Sequence, residues 1–122
     1  MADEITLNGK LKVVNGTTNE IAEVRDLLLT QTAKGVVHCT QTIGSSEEAI
    51  DLGQLSTLGY ALFINRGPTD TISLRQATSA SDFCDLKPTE FALFRVSADM
   101  TAPFAISSST NSPVLEFWIL ED

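Results

Sequence analysis

Leu58-Gly59-Tyr60-Ala61-Leu62-Phe63-Ile64 is the stretch on which the fold turns. In an extended chain Leu58, Tyr60, Leu62 and Ile64 share one face, while Gly59, Ala61 and Phe63 share the other. Arg66-Gly67-Pro68 then turns the chain, so the run reads as a strand of short, well-marked length. Downstream, Thr71–Gln76 alternates again, with Ile72 and Leu74 inward and Ser73 and Arg75 outward. Residues Ala77–Asp82 are small and polar, a loop. Lys87-Pro88-Thr89-Glu90 is a turn feeding Phe91–Val96, where Ala92, Phe94 and Val96 oppose Phe91 and Leu93. Asp99–Ser112 carries Pro103 and a serine-rich tract, which leaves room for a short strand around Phe104–Ile106. Val114–Leu120 is apolar on both faces apart from Glu116, the pattern of a central, covered strand.

Upstream of the deciding stretch the same grammar holds. Glu47–Leu52 reads as a short strand with Ile50 and Leu52 inward, and Gly35–Ile43 as a β-branched, threonine-rich strand. In Ile5–Val14, the apolar Ile5, Leu7, Leu11 and Val13 oppose Thr6, Asn8, Lys10 and Lys12, the signature of a half-buried strand. Asn15-Gly16 marks a tight turn. Glu20–Leu29 is ambiguous. Ile21, Val24 and Leu28 fit a helical face and Thr17 with Glu20 fits a capping box, yet Leu27-Leu28-Leu29-Thr30 reads as strand. A lone helix would be foreign to the rest of the pattern, so strand is expected here too. Short strands at roughly ten-residue spacing predict an all-β, antiparallel β-sandwich, one domain over 1–122 with an N-terminal arm at 1–4.

Composition narrows the function classes. The chain has 122 residues, 43% hydrophobic and 20% charged, enough to bury a core. Eight basic residues against 16 acidic ones leave a net charge of −8. That balance argues against gripping nucleic acid or an anionic membrane, and leaves protein partners open. No apolar run approaches the roughly 20 residues that span a bilayer. Met1-Ala2-Asp3-Glu4 is acidic, unlike a signal peptide, so folding in the compartment of synthesis is expected. Cys39 and Cys84 fit two buried thiols or one bridge between neighbouring strands.

Little in the chain points to chemistry. The single histidine, His38, lies next to Cys39, but adjacent strand residues face opposite ways, which opposes a shared metal ion. No nucleophile elbow, phosphate loop or zinc-protease motif is present. Glu47, Glu48 and Asp51 form an acidic group without the loop pattern of a calcium site, which reads as a solvated edge. Tyr60, Phe63, Phe91, Phe94, Phe117 and Trp118 sit among aliphatic residues in strands and are expected to pack. Phe104, flanked by proline in a polar stretch, is the aromatic expected at the surface. Neither enzyme activity, metal nor cofactor is expected.

Three stretches carry a resemblance: Ser56–Arg66 (STLGYALFINR), Leu86–Val96 (LKPTEFALFRV) and Leu115–Asp122 (LEFWILED). In this order they resemble a group of small virion proteins of tailed bacteriophages. The likeness covers roughly Ser46–Asp122. It is looser upstream, through Gly9-Lys10 and Thr40–Gly44. Where that group has glycine in the turn before the second stretch, this chain has Thr89. The resemblance implies a capsid decoration (cement) protein: a jelly-roll-like sandwich, a homotrimer, seated on the outer capsid surface of the virion. Its partner would be the major capsid protein, with neither nucleic acid nor membrane involved. Expected contacts are the arm and strand start at Ala2, Asp3, Glu4 and Ile5, and the loop holding Met100, Pro103 and Phe104. The alternative is a tail or head-fibre domain that touches the host surface or its glycans.

Overall fold

The computed structural model describes residues 4–97, 99–100 and 102–122. They form ten strands in antiparallel sheets, and the chain divides into two compact units, Met1–Thr32 and Ala33–Asp122.

The first unit is a hairpin of β1 (Ile5–Asn15) and β2 (Thr18–Leu29), the strand reading of Glu20–Leu29. Gly16 and Thr17 make the loop. Gly16 holds φ +60°, which glycine supplies without steric cost at the first central position of a hairpin turn. Halfway along, Leu7 pairs with Leu27 and Gly9 with Val24, so Asn8 faces both Arg25 and Asp26 across a bulge. Asp26 takes φ 50° there, and its N–H donates to Asn8 Oδ1 at 2.8 Å. The alternation read in Ile5–Val14 is present, but the half-burial inferred from it is not. Ile5 and Leu7 are half-buried, whereas Leu11 is 67% and Val14 65% exposed. The reason is topological: these strands pair only with each other.

The second unit is the sandwich. Its strands are β3 (Val36–Thr42), β4 (Glu48–Ala49), β5 (Leu58–Asn65), β6 (Ile72–Arg75), β7 (Asp82–Leu86), β8 (Phe91–Arg95), β9 (Phe104–Ser107) and β10 (Val114–Glu121). One sheet runs β3-β10-β5-β8 and the other β4-β9-β6-β7. The pairs β6·β7, β5·β8, β4·β9 and β3·β10 nest inside one another, all antiparallel. The chain therefore pairs as one long folded-back ribbon whose turn lies between β6 and β7. Wrapping that ribbon brings β10 beside β5 and β9 beside β6, which completes the two sheets.

The inner face of each sheet supplies the core. Ala61 and Phe63 of β5, Leu115, Phe117 and Ile119 of β10, Ile72 and Leu74 of β6 and Ala105 of β9 are all buried. The inward face of β5 is thus the one with the smaller residues, Gly59, Ala61 and Phe63, and it ends on Asn65. Asn65 is fully buried. Its Nδ2 donates to the carbonyls of Asp70 and Leu86, both at 2.8 Å, and its Oδ1 accepts from Gly67 N–H at 2.8 Å. Its backbone N–H donates to Glu90 O and its carbonyl accepts from Thr89 N–H. One side chain thereby ties the end of β5 to the entry of β6 and the end of β7. Gly67 is held against Pro113, where a Cβ would come within 2.4 Å of the proline Cβ.

Thr89 carries φ 72°, an outlier for a β-branched residue. The turn needs a left-handed residue, and the chain meets that need without glycine. The left-handed conformation costs an L-residue roughly 1–2 kcal/mol. Glycine would relieve it while adding about 0.4–1 kcal/mol of unfolded-chain entropy. Thr89→Gly is expected to stabilise the fold by about 0.5–1 kcal/mol, read as a higher urea midpoint at unchanged slope. Asn65→Leu should act in the opposite direction. Two buried carbonyls and one N–H lose their partner, at about 1–3 kcal/mol each, so a loss of about 3 kcal/mol or more is expected in the same assay.

Candidate functional site

The two sheets differ in what their outer faces offer. Direct cross-strand pairing places residues side by side on one face. Across the β3-β10-β5-β8 sheet one row is His38, Trp118, Leu62 and Leu93, and the next is Thr40, Glu116, Ile64 and Phe91. Phe91 is 66% exposed, and Val36, Leu93 and Val114 are exposed as well. Trp118, Leu62 and Ile64 between them are half-buried. The outer face of the other sheet is mixed: Phe104 and Ile106 of β9 stand beside Arg75 and Ser73, and Arg75 Nε donates to Asp82 at 2.6 Å and Arg75 Nη1 to Glu47 at 2.9 Å, while Ser73 Oγ donates to Asp85 at 2.7 Å. Those two carboxylates, Asp82 first, push the Arg75 pKa up and keep it charged.

On the apolar face the polar groups are mutually engaged. The His38 ring stacks on Trp118, centroids 4.0 Å apart and 13° between planes. His38 Nε2 donates to Glu116 Oε2 at 2.9 Å, and Arg66 Nε donates to Glu116 Oε1 at 2.8 Å. These hydrogen bonds, His38's first and Arg66's second, hold the Glu116 pKa below the usual glutamate value. At the other end of the sheet the Arg95 guanidinium lies over the Tyr60 ring, 4.7 Å from its centroid, and pairs with Asp122 at 3.4 Å. The apolar side chains thus run from β10 across β5 to edge strand β8, with the Glu116 pairs set among them on β10 and Arg95 at one end.

Sequence reasoning placed its candidates elsewhere. Glu4 is exposed and Ile5 half-buried at the start of the hairpin, while Ala2 and Asp3 lie outside the described residues. Met100 packs against the sandwich core. Pro103 is fully buried, with its carbonyl accepting from Ile50 N–H at 2.9 Å, so it shapes the loop and offers no surface. Phe104 opens β9, the short strand expected around Phe104–Ile106, and is half-buried rather than exposed. The Phe91 packing expectation is overturned: Phe91 points to the outer face of β8, while Ala92 and Phe94 on its other face pack against the core. Val114–Leu120 is central, as its pattern requires, but its outer face is open rather than covered. The signal that could have found this face was the second register of the apolar strands: Leu62 and Ile64, Trp118, Phe91 and Leu93.

The remaining polar candidates are occupied. Glu47 accepts from Arg75 and from Ser79 N–H, Glu48 from Gln41 and Gly44 N–H, and Asp51 from Gly53 N–H. Among the described residues no group of three or more His, Cys, Asp or Glu is placed to hold a metal ion. Cys39 and Cys84 are both free thiols. Cys39 is exposed on edge strand β3, against the expectation of burial. Burial first, then Asp85 and Glu90, push the Cys84 pKa up, which suppresses its thiolate. No helix of the described residues is long and apolar enough to cross a membrane.

No protein-family model, curated protein or solved structure matches this chain.

The Glu116 hydrogen bonds give a pH signature of known sign. A carboxylate with a depressed folded pKa adds stability above its unfolded pKa of about 4.3 and loses it as pH falls through the folded value. Urea titrations of wild type and Glu116→Gln should differ at neutral pH and converge as acid takes the pH below that range. A difference that persists unchanged in acid would mean the pairing to His38 and Arg66 is not what holds Glu116.

Proposed function

We propose that this chain is a non-enzymatic assembly protein, a capsid decoration protein that binds the outer surface of a phage head and stabilises the closed shell. The observation that carries the reading is the contrast between the sandwich's outer faces. One sets Phe104 and Ile106 among the ion pairs of Arg75; the other presents the wider apolar set of Trp118, Leu62, Ile64, Leu93 and Phe91. Apolar surface of that kind favours coverage by a partner. Leu62 and Ile64 of β5 sit in its middle, with Trp118 on one side against the His38 ring and Leu93 and Phe91 on the other.

Topology supports the same reading. Eight strands wrapped as one folded-back ribbon into sheets β3-β10-β5-β8 and β4-β9-β6-β7 fit a jelly roll, an architecture used by viral capsid and lectin domains. That support is analogy of fold and adds only to the prior. The resemblance of Ser56–Arg66, Leu86–Val96 and Leu115–Asp122 to small phage virion proteins points the same way.

Cementing needs recognition and no bond-making. A protein that binds the assembled shell but not its separated subunits stabilises the shell by mass action, in proportion to the logarithm of its concentration over its dissociation constant. Carrying several such faces in one oligomer multiplies the effect through effective concentration. The acidic balance of the chain keeps free copies soluble before they bind.

Quantitative mass spectrometry of purified particles tests this directly. Copies in a fixed ratio to the major capsid protein are expected, and Leu93→Asp should abolish rebinding to particles stripped of the chain. Absence from particles overturns the proposal. A handful of copies, together with glycan binding by the isolated protein, assigns the chain to a tail or fibre instead.

A further inference from the structure

We infer that Asn15, at the tip of the β1–β2 hairpin, is a site of spontaneous covalent modification: its side-chain amide is attacked by the Gly16 nitrogen, loses ammonia and leaves aspartate or isoaspartate, while the fold protects the same dipeptide at Asn8-Gly9. The inference goes beyond the assembly reading and stands without it.

The chemistry needs an asparagine followed by a residue that lets its own backbone nitrogen come close. Asparagine is a thermolabile side chain, and glycine, lacking a Cβ, permits the approach. Asn8 and Asn15 precede glycine, whereas Asn19, Asn65 and Asn111 precede Glu20, Arg66 and Ser112. The Gly16 nitrogen gives its proton to water and attacks Asn15 Cγ. The N–Cγ bond forms, the bond from Cγ to the side-chain nitrogen breaks, and ammonia leaves with a proton. Water then opens the five-membered succinimide. Breaking the N–Cγ bond yields aspartate. Breaking the bond to the Asn15 backbone carbonyl carbon yields isoaspartate, whose chain runs through Cβ and Cγ. The sum is one water consumed and one ammonia released, with no change of oxidation state.

Exposure does not choose between the two dipeptides, because Asn8, Gly9, Asn15 and Gly16 are all exposed. Hydrogen bonding and pairing do. Asn8 Oδ1 accepts from Asp26 N–H at 2.8 Å, which holds the carboxamide across the ribbon toward β2. The ladder also flanks Asn8 on both sides, through Leu7 with Leu27 and Gly9 with Val24. Among the described residues no hydrogen bond takes the Asn15 carboxamide or the Gly16 N–H.

The backbone makes the same distinction. In an extended strand the next nitrogen is turned away from the side chain, so ring closure requires rotation at ψ. At Asn8 that rotation breaks the ladder in mid-strand. Asn15 pairs with Thr18 as the last rung before the turn, so rotation there frays only the end of a ribbon that pairs with nothing else. Fraying of this kind is the cheapest opening a protein has, and a two-stranded ribbon is marginal to begin with.

The product changes the tip. Asn15 and Glu20 are diagonal neighbours on one face, a spacing of about 7–8 Å, so a carboxylate at position 15 stands beside a second one. Isoaspartate also inserts a methylene into the backbone next to a loop whose length sets the register.

Incubation of the full chain in warm, mildly alkaline buffer, followed by tryptic digestion and tandem mass spectrometry, tests the inference. Met1–Lys10 carries Asn8 and Val13–Arg25 carries Asn15. Aspartate and isoaspartate should accumulate at Asn15 roughly tenfold faster than at Asn8, the rate factor of one hydrogen bond kept intact. In urea the two rates should converge. Equal rates in the folded chain overturn the inference, as does a folded chain that stays unmodified at Asn15 while the unfolded chain reacts. A preference that persists in urea also overturns it, since the choice would then lie in neighbouring residues rather than in the fold. Hydrogen exchange on the modified chain, separated by its added negative charge, should be faster at Val14 and Asn19 and unchanged in the sandwich; a tip that exchanges no faster overturns the consequence drawn for the hairpin.

Discussion

The sandwich hangs on one buried amide. Asn65 closes the inward face of β5 where an aliphatic residue would continue the core, and its side chain satisfies three backbone groups that wrapping the chain would otherwise strand. Turns that run close to a core leave carbonyls and N–H groups away from water, and each must find a partner. Asn65 does this for the segment around Gly67 and Asp70 and for the end of β7, while its own backbone engages Thr89 and Glu90. Because these partners come from both the β5–β6 and the β7–β8 connection, Asn65 ties together two places where the chain crosses between sheets. Gly67 against Pro113 and Thr89 at φ 72° are then consequences: the chain is drawn in tightly enough that one turn tolerates no side chain and another accepts a strained one.

With the crossings fixed, alternation does the rest, and it does so twice. Each strand of the β3-β10-β5-β8 sheet sends one set of side chains inward to Phe63 and Phe117 and leaves a second set outside. That outer set is mostly apolar in β5, β8 and β10, Glu116 and Arg95 aside. Polar residues would have been the cheaper choice for a face that meets water. The other sheet goes further that way, with Arg75, Glu47, Asp82 and Asp85 around Phe104 and Ile106. The asymmetry lies in the sequence, and it is what turns an ordinary sandwich into one with a directional surface.

How far the sequence alone reaches can be seen residue by residue. Every strand but β7 was legible, Glu20–Leu29 included, because a period of two survives even where nothing is buried; Asp82–Leu86 went unread between the Ala77–Asp82 loop and the turn at Lys87. The pairing of the two layers followed from the number and spacing of those strands. What alternation cannot say is which face is covered. It gave Ile5–Val14 an inside although Leu11 and Val13 are exposed, and it placed Phe91 in the core although only Ala92 and Phe94, on the other face of β8, pack there. Asn65 stands at an inward position of β5, and that polar intrusion into an apolar register was the readable clue to its role. The Met100–Phe104 loop drew attention for its apolar residues, yet Pro103 and Met100 are apolar because they pack inward. Glu116 between His38 and Arg66 joins residues far apart in the chain, and no local pattern announces such a meeting.

The position of β10 carries a consequence for how the molecule comes into being. It lies between β3 and β5 in the sheet, yet it follows every other strand in the chain, and Leu120 closes on Val36 across most of the sandwich. During synthesis β3 and β5 emerge with a gap between them that nothing yet made can fill, and Phe63 waits without Phe117. That layer therefore closes only after β10 has been made. Such distant pairing makes acquisition of the native state slow, and leaves the nascent protein dependent on holding its sticky surfaces apart until the last strand arrives.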